Sequence, residues 1–197
     1  MKSIHGALFA LTIVALAACG GPSVTVTRED PNQEIALTDR WNATDSRLVS
    51  ETMINDMVAF PWYNQFVQAN NQRPVVIVQS IRNRSHEHIP VNTFINDIRR
   101  AMLMTGQLEF VAGGEERDEI REERLDQELN AREDTVNAMG QEIGADFALT
   151  GEINSFVDSL DGQRVTYYQV DMKLVNLLDN REVWLGTERI QKLQQRR

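Results

Sequence analysis

Cysteine occurs once in 197 residues, at position 19. A lone thiol excludes a disulfide framework within the chain and a zinc site built on cysteines. Basic residues are also short: 20 Lys and Arg stand against 29 Asp and Glu, a formal net charge of −9. No Lys/Arg cluster occurs, which argues against nucleic acid as a partner, because phosphate binding needs clustered cations. There is no Gly-x-Ser-x-Gly elbow, Gly-x-Gly-x-x-Gly fingerprint, phosphate-binding loop or His-Glu-x-x-His helix. Carboxylates are plentiful, but nothing in the sequence sets the separation of any pair, so a glycosidase has no support beyond composition. The expectation is a non-enzyme without a cofactor. What is present is an ordinary globular composition, 42% hydrophobic and 25% charged, with a length that suits one domain and an appendage.

The appendage is N-terminal. Lys2 supplies a positive start, and Gly6 to Ala18 is a 13-residue run without a charge. As a helix it reaches about 20 Å, short of a hydrocarbon core of about 30 Å. It therefore reads as a cleaved export signal, residues 1–18. Leu16-Ala17-Ala18-Cys19 resembles the bacterial lipobox. That resemblance implies cleavage between Ala18 and Cys19, an S-diacylglyceryl group on the Cys19 thiol and an N-palmitoyl group on its amine. A plain secretory signal with an incidental cysteine is the alternative. The residues after Cys19 are Gly20 and Gly21. The acidic residue associated with inner-membrane retention of such lipoproteins is missing, so the resemblance implies the outer membrane.

Residues 20–37 are polar, with two prolines, two glycines and no apolar period, and read as a tether. These 18 residues span at most about 60 Å when extended and roughly 25 Å as a flexible coil.

The expected domain covers residues 38–191, with a polar basic tail at 192–197. Asp45 or Ser46 is placed to cap a helix that ends at about Phe60 before Pro61, with Leu48, Val49, Thr52, Met53 and Met57 at helical spacing. Trp62, Tyr63 and Phe66 are expected to seal one edge of the core. Val75 to Val78 is an unbroken β-branched run, the mark of a strand buried on both faces. Asn92 or Thr93 caps a helix whose stripe is Phe94, Ile95, Ile98, Ala101 and Met102, stopped at Gly106. Leu108 to Ala112 is a short strand. Three long strands follow, Asp146 to Val157, Arg164 to Leu177 and Glu182 to Gln191, joined by turns at Asp161-Gly162 and Asp179-Asn180. In the middle one Tyr168, Val170, Met172 and Leu174 alternate with Tyr167, Gln169, Asp171 and Lys173, so one face is buried and one is wet. The class is α+β, a mixed and mostly antiparallel sheet with helices packed on it.

Residues 115–134 hold ten acids and four arginines. Ile120, Leu125 and Leu129 leave only a thin apolar seam, so this is a solvated helix rather than a dedicated acidic docking surface. Thr135 opens a second segment with Val136, Met139 and Ile143 inward. His86 and His88, at i and i+2, point to one side and are the only candidates for metal ligation; a surface or structural role outweighs it. Tyr167 and Tyr168 offer one exposed ring for a sugar or a partner, and Trp184 reads as packing.

Six segments carry a further resemblance: RPVVIV from Arg73, TFINDI from Thr93, EFVA from Glu109, GADFALTGEI from Gly144, YYQVDMKLVN from Tyr167 and VWLG from Val183. In order and spacing, from about Ile35 to Ile190, they resemble the LpoB family, outer-membrane lipoproteins that activate class A penicillin-binding proteins. The resemblance implies a domain like the N-terminal domain of TolB. It also implies that the anchored domain crosses the peptidoglycan mesh and stimulates a bifunctional synthase. It carries over no contact residue. The tether departs from the family's long, Pro-rich one. An envelope-assembly or structural lipoprotein that uses the same domain for another periplasmic partner is the alternative.

Overall fold

A computed structural model of the chain describes residues 25–30, 33, 35, 37–132, 134 and 142–195. The chain divides into two units, Met1–Gln33 and Glu34–Arg197. Within the first, residues 25–30 are exposed and adopt neither helix nor strand. The signal segment, Ala18, Cys19, Thr135, Val136 and Met139 lie outside the described residues.

In the second unit α1 spans Ala43–Ala59. Its N-cap is Asn42, not Asp45 or Ser46: the Asn42 side chain accepts from the Asp45 N–H at 3.0 Å, while Asp45 accepts from the Asn42 N–H at 2.8 Å. Asp45 is thus the inner half of a reciprocal capping box, which satisfies two orphan donors at once. The buried stripe is Val49, Met53, Ile54, Met57 and Val58; Leu48 and Thr52 point to solvent. The stripe is turned because α1 packs on both a second helix and a strand. Pro61 opens a further helix, α2 at Pro61–Asn70, because its fixed φ and missing N–H suit a first turn. Trp62 and Phe66 pack on Phe147 at ring distances of 4.8 and 5.2 Å and close that edge of the core.

Strand β1 (Val75–Asn83) follows, then α3 (Val91–Thr105), β2 (Glu109–Phe110) and α4 (Gly114–Asn130). Helix α3 begins after Pro90 without a side-chain cap, so neither Asn92 nor Thr93 has that role. It buries Phe94, Ile98 and Met102, with Ile95 and Ala101 partly covered. Helix α4 buries none of its residues. It stops at Asn130, short of the expected Asp134, and Arg132 pairs with Asp134 at 3.4 Å.

Strands β3 (Phe147–Leu160), β4 (Gln163–Asn176) and β5 (Glu182–Gln195) form the meander. Asp161 and Gly162 both have positive φ, 47° and 79°, the two-residue turn that matches strand twist. Sheet order is β2-β1-β3-β4-β5, with β1 parallel to both neighbours and the other pairings antiparallel. Strand β5 outruns its expected end: Lys192 to Gln195 pair with Thr166 to Gln163, so these residues are sheet and not tail. Helices α1 and α3 cover one face, where Leu149, Ile153, Tyr168, Val170, Met172, Leu174 and Trp184 are buried. The chain is an α+β sheet-and-helix sandwich, as the alternation in β4 requires.

Candidate interaction surface

The other face of the meander is wet, and the register states what it displays. Successive rows across β3, β4 and β5 are Thr150–Lys173–Leu185, Glu152–Asp171–Thr187, Asn154–Gln169–Arg189, Phe156–Tyr167–Gln191, Asp158–Val165–Leu193 and Leu160–Gln163–Gln195. Its middle is polar, and its far end gathers most of its apolar side chains among polar ones. Phe156 is 65% exposed, Leu193 57% and Leu160 75%. The Phe156 and Tyr167 rings lie 6.1 Å apart, tilted by 49°.

In the middle, Glu152 and Asp171 stand directly opposite each other. Like charges so placed repel. Donors surround them: Arg84 Nε lies 2.9 Å from Glu152, Gln169 donates to Asp171 Oδ2 at 2.8 Å, and the Thr187 hydroxyl donates to Asp171 Oδ1 at 2.6 Å. Lys173 pairs with Glu182 at 2.5 Å. Gln79, Ser80, Arg82, Thr150, Asp171 and Lys173 line a shallow hollow of about 570 Å³ here. Mixed charge beside an aromatic cluster is the composition of a protein-docking patch, an apolar anchor with a polar rim.

The residues singled out by sequence are distributed as follows. Tyr167 lies on this open face, whereas Tyr168 is fully buried on the other. Trp184 is core, with its indole N–H donating to Asp56 at 2.8 Å. His86 and His88 are both exposed; His86 Nδ1 is 2.7 Å from the Ser155 hydroxyl and its ring stacks over Tyr168. Among the described residues no group of three or more His, Cys, Asp or Glu is placed to hold a metal ion. The residue between them, Glu87, has the structural role: it accepts from the Tyr168 hydroxyl and from the Trp41 N–H. The signal for Phe156 was present but unread, an aromatic at a position where strand alternation calls for a polar side chain.

Helix α4 is tied by charge. Arg121 makes a two-pronged contact with Glu142 at 3.0 and 2.9 Å, and Arg124 lies at 3.5 Å. Arg117 donates to the Ala112 carbonyl at 2.9 Å, and Arg99 pairs with Glu116 at 2.9 Å. Arg121 holds the Glu142 carboxyl below the usual range. Among the described residues no helix is long and apolar enough to cross a membrane.

A family model described as peptidoglycan-synthase activator LpoB matches residues 45–190. The chain belongs to the LpoB family. The match runs from the first turn of α1 to Ile190 in β5 and so reaches into every helix and strand of the sheet-and-helix unit. Among curated protein sequences nothing matches. Among solved structures, the LpoB C-terminal domain from Escherichia coli is similar with a TM-score of 0.46 at 14% identity, covering 74% of this chain and 98% of that one. The NMR structure of E. coli LpoB gives 0.42 at 13% identity, with 89% and 86% covered. Lipoprotein GNA1162 from Neisseria meningitidis gives 0.37 at 17% identity, with 61% and 83% covered.

Proposed function

We propose that this LpoB-family chain is a lipid-anchored regulator that faces the periplasm from the outer membrane, and that it binds and activates a class A penicillin-binding protein to stimulate peptidoglycan synthesis. The observation that carries the reading is the match of residues 45–190 to a family of synthase activators. Residues 1–18 are the signal, Cys19 carries the N-palmitoyl and S-diacylglyceryl groups, residues 19–37 are the tether, and the domain starts at 38. Each buried acyl CH₂ contributes about 0.8 kcal/mol, so several chains hold a domain at a membrane without a helix. Replacement of Cys19 by Ser should abolish incorporation of labelled palmitate; incorporation that persists would remove the anchor.

Activation needs no chemistry from this chain. Preferential binding to the synthase's active conformer shifts its population, and moving it from 1:99 to 99:1 takes about 5.5 kcal/mol of differential affinity. The open sheet face supplies the contact, with Phe156, Tyr167 and Leu193 as anchors and Arg84, Lys173 and Arg189 at the rim. A photo-cross-linking residue at Tyr167, used in cells, should capture a penicillin-binding protein, and one at exposed Thr52 on α1 should not. Purified chain should raise glycan polymerisation by that synthase. Failure of both overturns the reading.

The short tether, 18 residues beyond Cys19, favours a second reading. A maximal reach of about 60 Å, with about 40 Å more for a domain of this size, is a tight crossing to a synthase rooted in the inner membrane. An envelope-assembly lipoprotein with another periplasmic partner would give cross-links at Tyr167 that contain no synthase.

A further inference from the structure

The apolar end of the open face sits on a part of the sheet that has little apolar core behind it. On the helix side the corresponding rows are Ser155–Tyr168–Ile190, Val157–Thr166–Lys192 and Ser159–Arg164–Gln194. Most of these side chains are polar, so apolar packing against the helices supplies little of what holds this three-stranded arm. What lies against them is the chain where it enters the domain, Asp39 to Asn42, together with the loop at His86 and Glu87.

Each strand of the arm has its own fastening. On β4, the Thr166 hydroxyl donates to the Asp39 carboxylate, Arg164 Nε lies 2.8 Å from the same carboxylate, and the Tyr168 hydroxyl lies 3.2 Å from the Asp39 carbonyl. On β5, Lys192 donates to the Arg40 carbonyl at 2.8 Å and to Asp45. On β3, Ser155 meets the His86 backbone N–H at 3.0 Å and its ring at 2.7 Å. Glu87 joins loop to entry segment: one of its oxygens accepts from the Trp41 N–H at 2.8 Å and from the Tyr168 hydroxyl at 2.5 Å. The Trp41 ring meets Tyr168 and Phe94 edge-on at 5.6 and 5.8 Å. Asp39 is only 7% exposed, so its charge is held by these partners rather than by water.

Arg164, Thr166 and Tyr168 alternate along β4 with Val165 and Tyr167, which face the other way. Fixing the first three fixes the backbone that carries the second two. We infer that the entry segment Asp39–Asn42 is a brace that sets the shape of the β3–β4–β5 arm, and that Asp39 and Glu87 are positioning residues for the open face. The consequence for partner binding rests on the docking reading above; the brace itself does not. The domain starts at residue 38, so the brace lies at its very beginning: whatever displaces the entry segment loosens Val165 and Tyr167 before it disturbs the core.

Hydrogen exchange of the full chain in detergent tests this. In Asp39→Asn and in Thr166→Ala, amide exchange over residues 155–168 should rise at least tenfold, while Val76 to Val78 in β1 and Leu149 to Gly151 in β3 stay at the wild-type rate. Thr166→Ser keeps the hydroxyl donor and should restore protection. Wild-type exchange in the arm of Asp39→Asn overturns the brace, and so does a uniform rise in every strand, which would mean a contribution to global stability alone. A loosened arm with unchanged synthase binding supports the brace and removes the docking face.

Discussion

The hydroxyl of Tyr168, buried completely in the central strand of the meander, donates at 2.5 Å to Glu87, a residue 81 positions earlier in the chain. Burial, then the bond to Glu87, pushes the phenol well above its ordinary pKa. Tyr168→Phe removes the donor and leaves a part-buried carboxylate one partner short. The expected cost is about 1.5–3 kcal/mol, read as a lower denaturant midpoint at unchanged m-value. The sign of the pH effect follows from the neutral form being favoured in the fold. The stabilisation is whole below about pH 10, where the unfolded tyrosine is also neutral, and is lost as the pH rises further. Tyr168→Phe should therefore flatten the alkaline limb of the stability curve; an identical alkaline limb would contradict the assignment.

Asp39 gives the opposite limb. Its carboxyl is lowered from 3.8, first by the hydrogen bond from Thr166 and against the effect of burial, with Arg164 adding attraction. A lowered folded pKa contributes stability above the unfolded value, and that contribution is lost as pH falls below about 4. Asp39→Asn should lose this part of the acid dependence, so that mutant and wild-type curves converge at low pH. Curves that stay parallel down to pH 2 would rule it out.

Gly186 in β5 lies under the Trp184 ring, and a Cβ there would meet Cζ2 at 2.2 Å. Trp184 is buried and fastened to Asp56, so the ring cannot simply swing away. Gly186→Ala should cost about 1–3 kcal/mol from overpacking, with a blue or red shift of tryptophan emission as the ring moves. A stability change within about 0.5 kcal/mol would mean that the ring relocates freely.

Helix α4 buries nothing and is tied by Arg117, Arg121 and Arg124 around Glu142. At 1 M salt the screening length falls to about 3 Å, so these exposed pairs should weaken. Both high salt and Glu142→Gln should speed amide exchange across residues 114–130 and leave β3 unchanged. Exchange in α4 that is insensitive to both would point to apolar anchoring.

Much of the sheet was legible because strand alternation is a local signal: Tyr168, Val170, Met172 and Leu174 are buried as their spacing requires, and Asp161-Gly162 turns where two positive φ angles are needed. The misreadings are where several local solutions compete. Asn42, Asp45 and Ser46 all suit a helix start, and the reciprocal capping box between Asn42 and Asp45 selects Asn42. Pro61 suits a stop or a first turn, and the aromatic contacts of Trp62 and Phe66 with Phe147 select the turn. The end of β5 was misplaced because Lys192 reads as solvated until its partners, Arg40 and Asp45, are brought beside it.

Composition and period alone thus determined an α+β chain with a hydrophobic-faced meander, a charge-free run from Gly6 to Ala18 ahead of Cys19, and an acid-rich helix that buries none of its residues. They act over a few neighbours, and that range is enough for them. That Glu87 rather than its flanking histidines matters, and that Tyr168 is tied both to it and to Asp39, followed from contacts spanning 81 and 129 positions. Only the folded sheet brings those groups within hydrogen-bond distance, so no local pattern encodes them.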